Sequence, residues 1–380
     1  MRFEFATAAR IVFGPGSVSE LPKIASAWGK RAFVVTGRDK IRHAGTVAEL
    51  EAAGFHCALF GVAGEPAVPL VREGAQLLKD RACTVVIAIG GGSAIDAAKA
   101  IAAIAANPGD VLDYLEVVGQ GKPLPNAALP FIAVPTTAGT GSEVTRNAVL
   151  GSPEDGVKAS LRSASMLAKV ALVDPELTYS LGKFGTATTG LDAITQLIEP
   201  YVSPRANPMT DALCRDGLRM AAPSLRRAYA NPKDAEARTR MSYASLLGGL
   251  ALANAGLGVV HGFAAPVGGM FDAPHGAICA ALLPHGMRAN IAALKARAPE
   301  SESLARYGEV ARILTGDSSA AAEDGAVWIE GLVRDLGIPG LRSYGIGESD
   351  VPALVGKAAR ASSMKANPIV LTNDELGGVL

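Results

Sequence analysis

The sequence has few cysteines, and they are widely scattered. Its 380 residues include only Cys57, Cys83, Cys214 and Cys279. No two of them form a C-x-x-C pair, so the sequence indicates neither a disulfide framework nor a zinc knuckle. Scattered cysteines are typical of proteins from reducing compartments. We therefore predict a cytoplasmic protein.

Uncompensated charge and long hydrophobic runs are also absent. The 36 basic and 36 acidic side chains give a formal net charge of zero, which favours neither nucleic acid nor an anionic membrane surface as a partner. The N-terminal sequence MRFEFATAAR lacks the apolar core of a signal peptide. The longest apolar run, residues 246–260, is rich in glycine and too short to span a bilayer. We predict a buried core helix there, and a small molecule as the partner.

A strand, a glycine turn and a helix follow one another without a break in residues 83–99. Residues 85–89 are apolar and rich in β-branched side chains, as in a strand buried on both faces of a parallel sheet. Gly90, Gly91 and Gly92 end this run, and Ser93 is the predicted N-cap of the helix. Glycines permit close approach, and the free N–H groups of a helix start attract negative charge. We predict a phosphate or pyrophosphate site; a plain βα turn is the alternative.

Strands alternate with helices as far as about residue 180. Further strands are predicted at residues 32–36, 57–60, 131–134 and 170–173, and helices at residues 46–53 and 71–79. This alternation predicts a doubly wound parallel sheet in an α/β domain of residues 1–181. Strand patterns then largely vanish, and helices are predicted at residues 189–201, 209–229 and 235–254. We predict an all-α second domain over residues 182–380.

A second glycine-rich segment, residues 135–143, follows its strand directly. It offers hydroxyl groups on Thr136, Thr137 and Thr140, while its glycines expose the backbone. Open α/β sheets bind ligands at the carboxyl ends of their strands, so two such loops favour one shared ligand. The alternative is a turn that is merely rich in serine and threonine.

Histidines are scarce, yet three of the five fall in one short window, at His261, His275 and His285. Asp192 lies on a predicted helix, with Gln196 one turn later on the same face. A carboxylate with imidazoles is a ligand set for iron or zinc. The spacing matches no local zinc motif, so a metal site and unrelated structural histidines are both open on spacing alone.

Five ordered motifs resemble the iron-containing (group III) alcohol dehydrogenase family. They are GGGSAIDAAK, PTTAGTGSEVT, LVDPEL, GLDAITQLIEPY and HGFAAPVGGMFDAPHGAICAALLPHGM. The resemblance implies a Rossmann-like nucleotide domain, a helical C-terminal domain, and hydride transfer between a nicotinamide and an alcohol or aldehyde carbon in the cleft between them. It also implies an NAD(P) cofactor and a small-molecule substrate.

The same resemblance implies roles for individual residues. It assigns Asp192, His261 and His275 to three of the family's four metal-ligand positions, and the metal would be Fe²⁺ or Zn²⁺. The family histidine expected at the fourth position is Gln196 here, and another histidine near the nicotinamide is Ala265. The cofactor-binding positions implied by the resemblance are Gly91, Gly92, Ser93, Asp96, Thr136, Thr137, Thr140 and Lys158.

The glutamine leaves alternative mechanisms open. In one, Asp192, His261 and His275 still hold a metal that polarises the substrate oxygen, with Gln196 as a weak ligand or a neighbouring group. In the other no metal binds, and Gln196 with a protonated histidine donates hydrogen bonds to the developing alkoxide. The second resembles maleylacetate reductases. A catalytically impaired relative that only binds nucleotide is a further alternative.

The residues after the second predicted strand bear on the choice of nicotinamide cofactor. Family members that prefer NAD tend to carry an acidic residue there, which accepts a hydrogen bond from the ribose 2′-hydroxyl. This sequence has Gly37, and Arg38 follows and could pair with a 2′-phosphate. Asp39 comes next and could instead meet the ribose. We predict that NADP is allowed or preferred, and that the protein is a homodimer.

Overall fold

The structure is a computed structural model, and it describes residues 2–39, 41–155 and 157–380. The chain divides into two compact units. One contains Thr7–Thr137 and Gly141–Tyr179; the other contains Ser180–Leu380, the N-terminal stretch ending at Ala6, and Ala138–Thr140. The sequence predicts a division after residue 181.

The first unit is built on a parallel sheet. Its strands are β1 (Ile11–Phe13), β2 (Arg31–Gly37), β3 (His56–Val62), β4 (Val85–Gly90), β5 (Phe131–Pro135) and β8 (Val170–Val173), and they lie in the order β1-β8-β5-β4-β2-β3 with every pair parallel. All residues of β4, β5 and β8 are buried, as their apolar sequences predict. This confirms the predicted parallel α/β fold.

Helices and one hairpin complete this unit. The helices are α1 (Leu21–Ala25), α2 (Ala44–Ala52), α3 (Val68–Asp80), α4 (Gly92–Ala105) and α5 (Val111–Tyr114). Strands β6 (Asn147–Ser152) and β7 (Val157–Arg162) pair antiparallel, and the sequence pattern did not predict this hairpin. Short 3-10 turns lie at Ser17–Glu20, Ser26–Trp28, Ser142–Val144, Ala164–Met166 and Pro175–Thr178.

The second unit is helical in the part of the chain that the structure describes. Its helices are α6 (Lys183–Val202), α7 (Pro208–Ala230), α8 (Ala235–Ala255), α9 (Val259–Met270), α10 (His275–Arg297), α11 (Glu302–Thr315), α12 (Ala322–Asp335), α13 (Val351–Ala358) and α14 (Asn373–Gly377), with 3-10 turns at Leu341–Tyr344, Glu348–Asp350 and Ser362–Ala366. By length and composition α10 could cross a membrane, but 72% of its apolar window is buried inside the protein. Burial of this extent is typical of a core helix.

The predicted single helix over residues 246–260 is wrong in one respect. The chain bends by 97° between α8 and α9. Gly256 follows α8 with a φ of 78°, a left-handed conformation that side-chain-bearing residues rarely adopt. The bend therefore ends one helix and starts another, and it determines where His261 lies on α9.

A buried lysine fixes the loop after β5 against α4. Lys99 Nζ donates hydrogen bonds to Ser142 Oγ and Thr145 Oγ1, both at 2.8 Å, and to the Asn147 carbonyl oxygen at 2.9 Å. Glu143 is buried in the same loop. Burial raises the pKa of the Glu143 carboxyl to about 7, because removal from water penalises its charged form.

Glu143 should make stability depend on pH. The folded-state pKa of about 7 exceeds the ordinary value of 4.5, so the folded protein binds more protons in this window. The contribution of Glu143 to the free energy of unfolding therefore falls by up to about 3 kcal/mol as pH rises from 4.5 to above 7. We expect Glu143→Gln to remove this decline, as measured by urea unfolding at pH 5 and pH 8. Exposed Glu49→Gln is the control, and equal pH dependence in the wild type and Glu143→Gln would contradict the assignment.

Candidate active site

The glycine turn places the start of α4 at the carboxyl end of β4. Gly91 is the N-cap residue in an extended conformation, and α4 begins at Gly92. The prediction that Ser93 caps the helix is wrong, because Ser93 already lies inside its first turn. A glycine N-cap has no side chain to accept hydrogen bonds from the first amide groups of α4. These N–H groups are the kind of donor that a phosphate requires.

The second predicted loop lies beside this turn. The Thr136 amide donates a hydrogen bond to the Gly90 carbonyl oxygen at 2.9 Å. A Cβ added at Gly91 would lie 3.2 Å from Thr137 Cγ2, so the close approach of the two loops depends on glycine. Thr140 belongs to the helical unit. The structure thus brings Gly91, Thr136 and Thr137 together, as expected for one shared ligand.

Asp96 and Lys158 have protein partners. Asp96 Oδ1 accepts a hydrogen bond from Ser142 Oγ, and Asp96 Oδ2 accepts one from the Val149 amide at 2.9 Å. Asp96 therefore ties α4 to the second loop and to the hairpin. Lys158 on β7 forms an ion pair with Glu65. Cofactor contacts of these two residues stay predictions.

Gly37 ends β2. A Cβ added at Gly37 would meet no atom of the described residues within 4 Å. Arg38 and Asp39 are exposed. Asp39 Oδ1 accepts a hydrogen bond from the Ile41 amide at 3.0 Å.

The helical unit brings a carboxylate and two imidazoles together. Asp192 lies on α6, His261 on α9, and His275 is the first residue of α10. Asp192 Oδ1 lies 3.3 Å from His261 Nε2 and 3.7 Å from His275 Nε2. Asp192 and His261 are buried, while 37% of the His275 side chain is exposed. Solvent therefore reaches the cluster beside His275.

Cys279 joins this cluster, and sequence reasoning missed it. Its Sγ lies 3.8 Å from His261 Nε2 and 3.7 Å from His275 Nε2. One donor atom from each of Asp192, His261, His275 and Cys279 lies within 4.8 Å of the others. Cys279 follows His275 by one turn of α10, so this helical spacing was the available signal.

Glu199 orients one of the imidazoles, and sequence reasoning missed it as well. His261 Nδ1 lies 2.6 Å from Glu199 Oε2, and the Val260 amide donates to Glu199 Oε1 at 2.7 Å. The Glu199 carboxylate holds the ring so that Nε2 of His261 faces Asp192 and Cys279. Glu199 lies one turn after Gln196 on α6.

Two other predicted positions lie nearby in the sequence. Gln196 is one turn after Asp192 on α6, and its Oε1 is buried without a hydrogen-bond partner among the described residues. Ala265 lies one turn after His261 on α9. His285 lies farther along α10, is exposed and does not belong to the cluster.

The cluster is electrostatically coupled. Burial acts to lower the pKa of His261, but Cys279, Glu199 and Asp192 outweigh it and raise that pKa well above its ordinary value. Burial likewise opposes the charged form of His275, yet Cys279 and Asp192 raise its pKa to about 9. Burial acts to raise the pKa of Asp192, but His275 and His261 outweigh it, so the net pKa is lowered. The acidic groups of the cluster therefore stabilise positive charge on its two imidazoles.

This donor set fits a divalent transition metal. Asp192 Oδ1 is buried and makes no hydrogen bond within the described residues, although His261 Nε2 is near. A cation would satisfy this oxygen, and the Nε2 atoms of His261 and His275 lie 3.3 and 3.7 Å from it. A carboxylate, imidazoles and a thiol are all ligands for such metals.

Comparisons with known proteins agree over nearly the whole chain. The family model for iron-containing alcohol dehydrogenase matches residues 8–175, and the model for the C-terminal part of that family matches residues 186–380. The chain belongs to the iron-containing alcohol dehydrogenase family. The predicted family and fold class are thereby confirmed.

Relatives of this iron-containing alcohol dehydrogenase include enzymes for several alcohols. It is 37% identical to 1,3-propanediol dehydrogenase of Klebsiella pneumoniae, covering 97% of this chain and 95% of the relative. It is 34% identical to NAD-dependent methanol dehydrogenase of Bacillus methanolicus, covering 97% and 96% of the two chains. A crystal structure of 1,3-propanediol oxidoreductase matches with a TM-score of 0.91 and 35% identity over 100% of this chain and 99% of that one.

The family defines the reaction. The protein is an oxidoreductase that transfers a hydride between a nicotinamide cofactor and a small alcohol or aldehyde. This confirms the function predicted from the five motifs. The family uses NAD(H) and a metal, and the cluster around Asp192 is a group that could hold one.

Proposed function

We propose that this alcohol dehydrogenase carries out hydride transfer at a divalent metal held by Asp192, His261 and His275. The observation that carries the proposal is the buried Asp192 Oδ1, which makes no hydrogen bond among the described residues and lies within 3.7 Å of the Nε2 atoms of both histidines. When bound, Fe²⁺ or Zn²⁺ supplies Lewis acidity that polarises the substrate oxygen. Gln196 is a neighbouring group in this proposal.

Other residues of the chain orient the His261 ring and bind the substrate and the cofactor. Glu199 accepts a hydrogen bond from Nδ1–H of His261 and so orients the ring for ligation through Nε2. The exposed side of His275 leaves a path for the substrate. In the α/β unit, the first amide groups of α4 at Gly92 and Ser93 receive the cofactor diphosphate, while Thr136 and Thr137 line the same surface.

Metal dependence separates this proposal from the metal-free alternative. The protein is purified without added metal, analysed for metal content, and assayed for aldehyde-dependent oxidation of NADH and NADPH before and after chelation. We expect activity to follow metal content. Full activity at substoichiometric metal would instead favour hydrogen-bond donation by Gln196 and a protonated histidine, as in the maleylacetate-reductase-like alternative. Nucleotide binding without turnover would indicate an impaired relative.

We further propose that NADP is accepted and preferred. The support is the absence of a side chain at Gly37, with the exposed guanidinium of Arg38 directly after it. An acidic residue at this place would repel a 2′-phosphate, whereas arginine attracts one. The engagement of Asp39 with the Ile41 amide further favours Arg38 as the residue that meets the ribose.

Gly37→Asp tests this preference. The open space beside Gly37 accommodates the side chain, so we expect the protein to fold. The added carboxylate should lower kcat/KM with NADPH about 100-fold relative to NADH, because like charges repel. Gly37→Asn is the matched control with the same shape and no charge. Equal or better turnover of the wild type with NADH at matched concentrations would contradict the preference.

We also propose that the protein is a cytoplasmic homodimer. All four cysteines are free, and Cys83, Cys214 and Cys279 are buried, which supports a reducing compartment. Symmetric dimers are the commonest state of soluble oligomeric proteins.

A further inference from the structure

The cluster contains a sulfur atom that the proposed function does not use. Cys279 is buried on α10, where a cysteine usually packs as a small hydrophobe. Its Sγ instead lies 3.8 Å from His261 Nε2 and 3.7 Å from His275 Nε2. Both nitrogen atoms also face Asp192 Oδ1. The thiol therefore belongs to the polar cluster.

Four of the six distances between these donor atoms are close to those of a tetrahedral ligand set, and all six are below 4.8 Å. Tetrahedral zinc has bonds of about 2.0–2.1 Å to nitrogen and about 2.3 Å to sulfur. Such bonds separate two nitrogen or oxygen ligands by about 3.3–3.4 Å, and a nitrogen from a sulfur by about 3.6 Å. The distances from Asp192 Oδ1 to the two Nε2 atoms are 3.3 and 3.7 Å. Those from Cys279 Sγ are 3.8 and 3.7 Å.

We propose that Cys279 is the fourth ligand of the metal held by Asp192, His261 and His275, and that its thiolate replaces the imidazole lacking at Gln196. This inference rests on the proposed function. The imidazole that is missing on α6 is thus replaced by a thiolate on α10, one turn after His275. Gln196 is then not needed as a ligand.

A thiolate changes the properties of the site. Asp192 and Cys279 would together contribute two negative charges and neutralise a divalent cation in a buried environment, which lowers the cost of burying it. Sulfur is a soft ligand, so the set favours Zn²⁺ over Fe²⁺. Ligation requires a thiolate and neutral imidazoles, so any protons held by these donor atoms pass to solvent as their bonds to the metal form.

Cobalt substitution tests the sulfur ligand directly. The full chain is stripped of metal and titrated with Co²⁺ for the wild type, Cys279→Ser, Cys279→Ala and the control Cys214→Ala, which removes a buried cysteine of α7 outside the cluster. We expect a near-ultraviolet thiolate-to-cobalt charge-transfer band in the wild type and Cys214→Ala. We expect no such band in the Cys279 variants, with Co²⁺ affinity at least about 100-fold weaker.

The outcomes separate this inference from the proposed function. One Co²⁺ bound per wild-type chain without the charge-transfer band would overturn the role of Cys279 and leave the metal-dependent function intact. A band of equal strength in Cys279→Ala would also overturn it. Failure of the wild type to bind Co²⁺ at all would overturn both. Because the band is read on the wild type, misfolding of a variant does not block the test.

Discussion

Replacing Asp192 with asparagine is expected to remove the bound metal and to lower kcat by about 1,000-fold or more. The carboxylate oxygen is the atom that faces both imidazoles, at 3.3 Å from His261 Nε2 and 3.7 Å from His275 Nε2. A neutral amide oxygen is a much weaker ligand for a divalent transition metal. Asparagine has the same shape, so the buried position should still pack. Elemental analysis and aldehyde-dependent oxidation of NAD(P)H measure the two effects.

Asp335→Asn is the control for this variant. It makes the same chemical change at a surface carboxylate that pairs with Arg226, and we expect its metal content and kcat to match the wild type. Thermal unfolding of both variants checks that each is folded. A folded Asp192→Asn protein that keeps wild-type kcat would contradict the metal-dependent account and favour the hydrogen-bonding alternative.

Gly91→Leu is expected to weaken dinucleotide binding by about 100-fold or more. A Cβ at Gly91 already lies 3.2 Å from Thr137 Cγ2, so a larger side chain must cover the space beside the first amide groups of α4. Loss of two charge-assisted hydrogen bonds to the diphosphate, at about 1.5–3 kcal/mol each, corresponds to this change. Dissociation constants for NADP⁺ and NAD⁺ can be measured by calorimetry.

Gly356→Leu is the matched control, because an added Cβ at Gly356 meets no atom within 4 Å. It makes the same substitution on α13 of the helical unit. We expect it to bind dinucleotide like the wild type. Unchanged affinity in Gly91→Leu would show that the start of α4 does not hold the diphosphate.

The buried strands were predictable because each is a short, continuous run of apolar residues. The apolar runs of β4 and β5 allow few other interpretations, and the predicted bounds agree with the structure to within one or two residues. The β6–β7 hairpin has no such signal. Its strands alternate buried with more exposed positions, and β7 includes Lys158, Ser160 and Arg162. A short, half-exposed ribbon of this kind depends on its neighbours for stability.

The glycine turn was predictable in type but not in detail. The strand–glycine–helix order predicts a helix start directly after the glycines, and the structure has one with Gly91 as its N-cap. The sequence could not show that α4 starts before Ser93, because an extended Gly91 can serve as N-cap without a side chain. Helix ends are commonly uncertain by a residue or two.

The cluster of Asp192, His261, His275 and Cys279 was only partly predictable, because the tertiary structure brings these side chains together. Asp192, His261 and His275 were found through motif resemblance, since their spacing follows no local zinc motif. Their proximity depends on the bend at Gly256, which sets the direction of α9. With α9 in this direction, His261 Nδ1 lies beside the Glu199 carboxylate. Cys279 differs in that one helical turn links it to His275, and a search for that spacing would have found it.

A crystal structure of the zinc-loaded protein with NADP⁺, with anomalous data at the zinc edge, would show directly which side chains hold the metal. We expect an anomalous peak within bonding distance of Asp192 Oδ1, His261 Nε2, His275 Nε2 and Cys279 Sγ. We also expect the cofactor diphosphate within hydrogen-bond distance of the Gly92 and Ser93 amides. A diphosphate bound elsewhere, or zinc absent from these four atoms, would contradict these assignments.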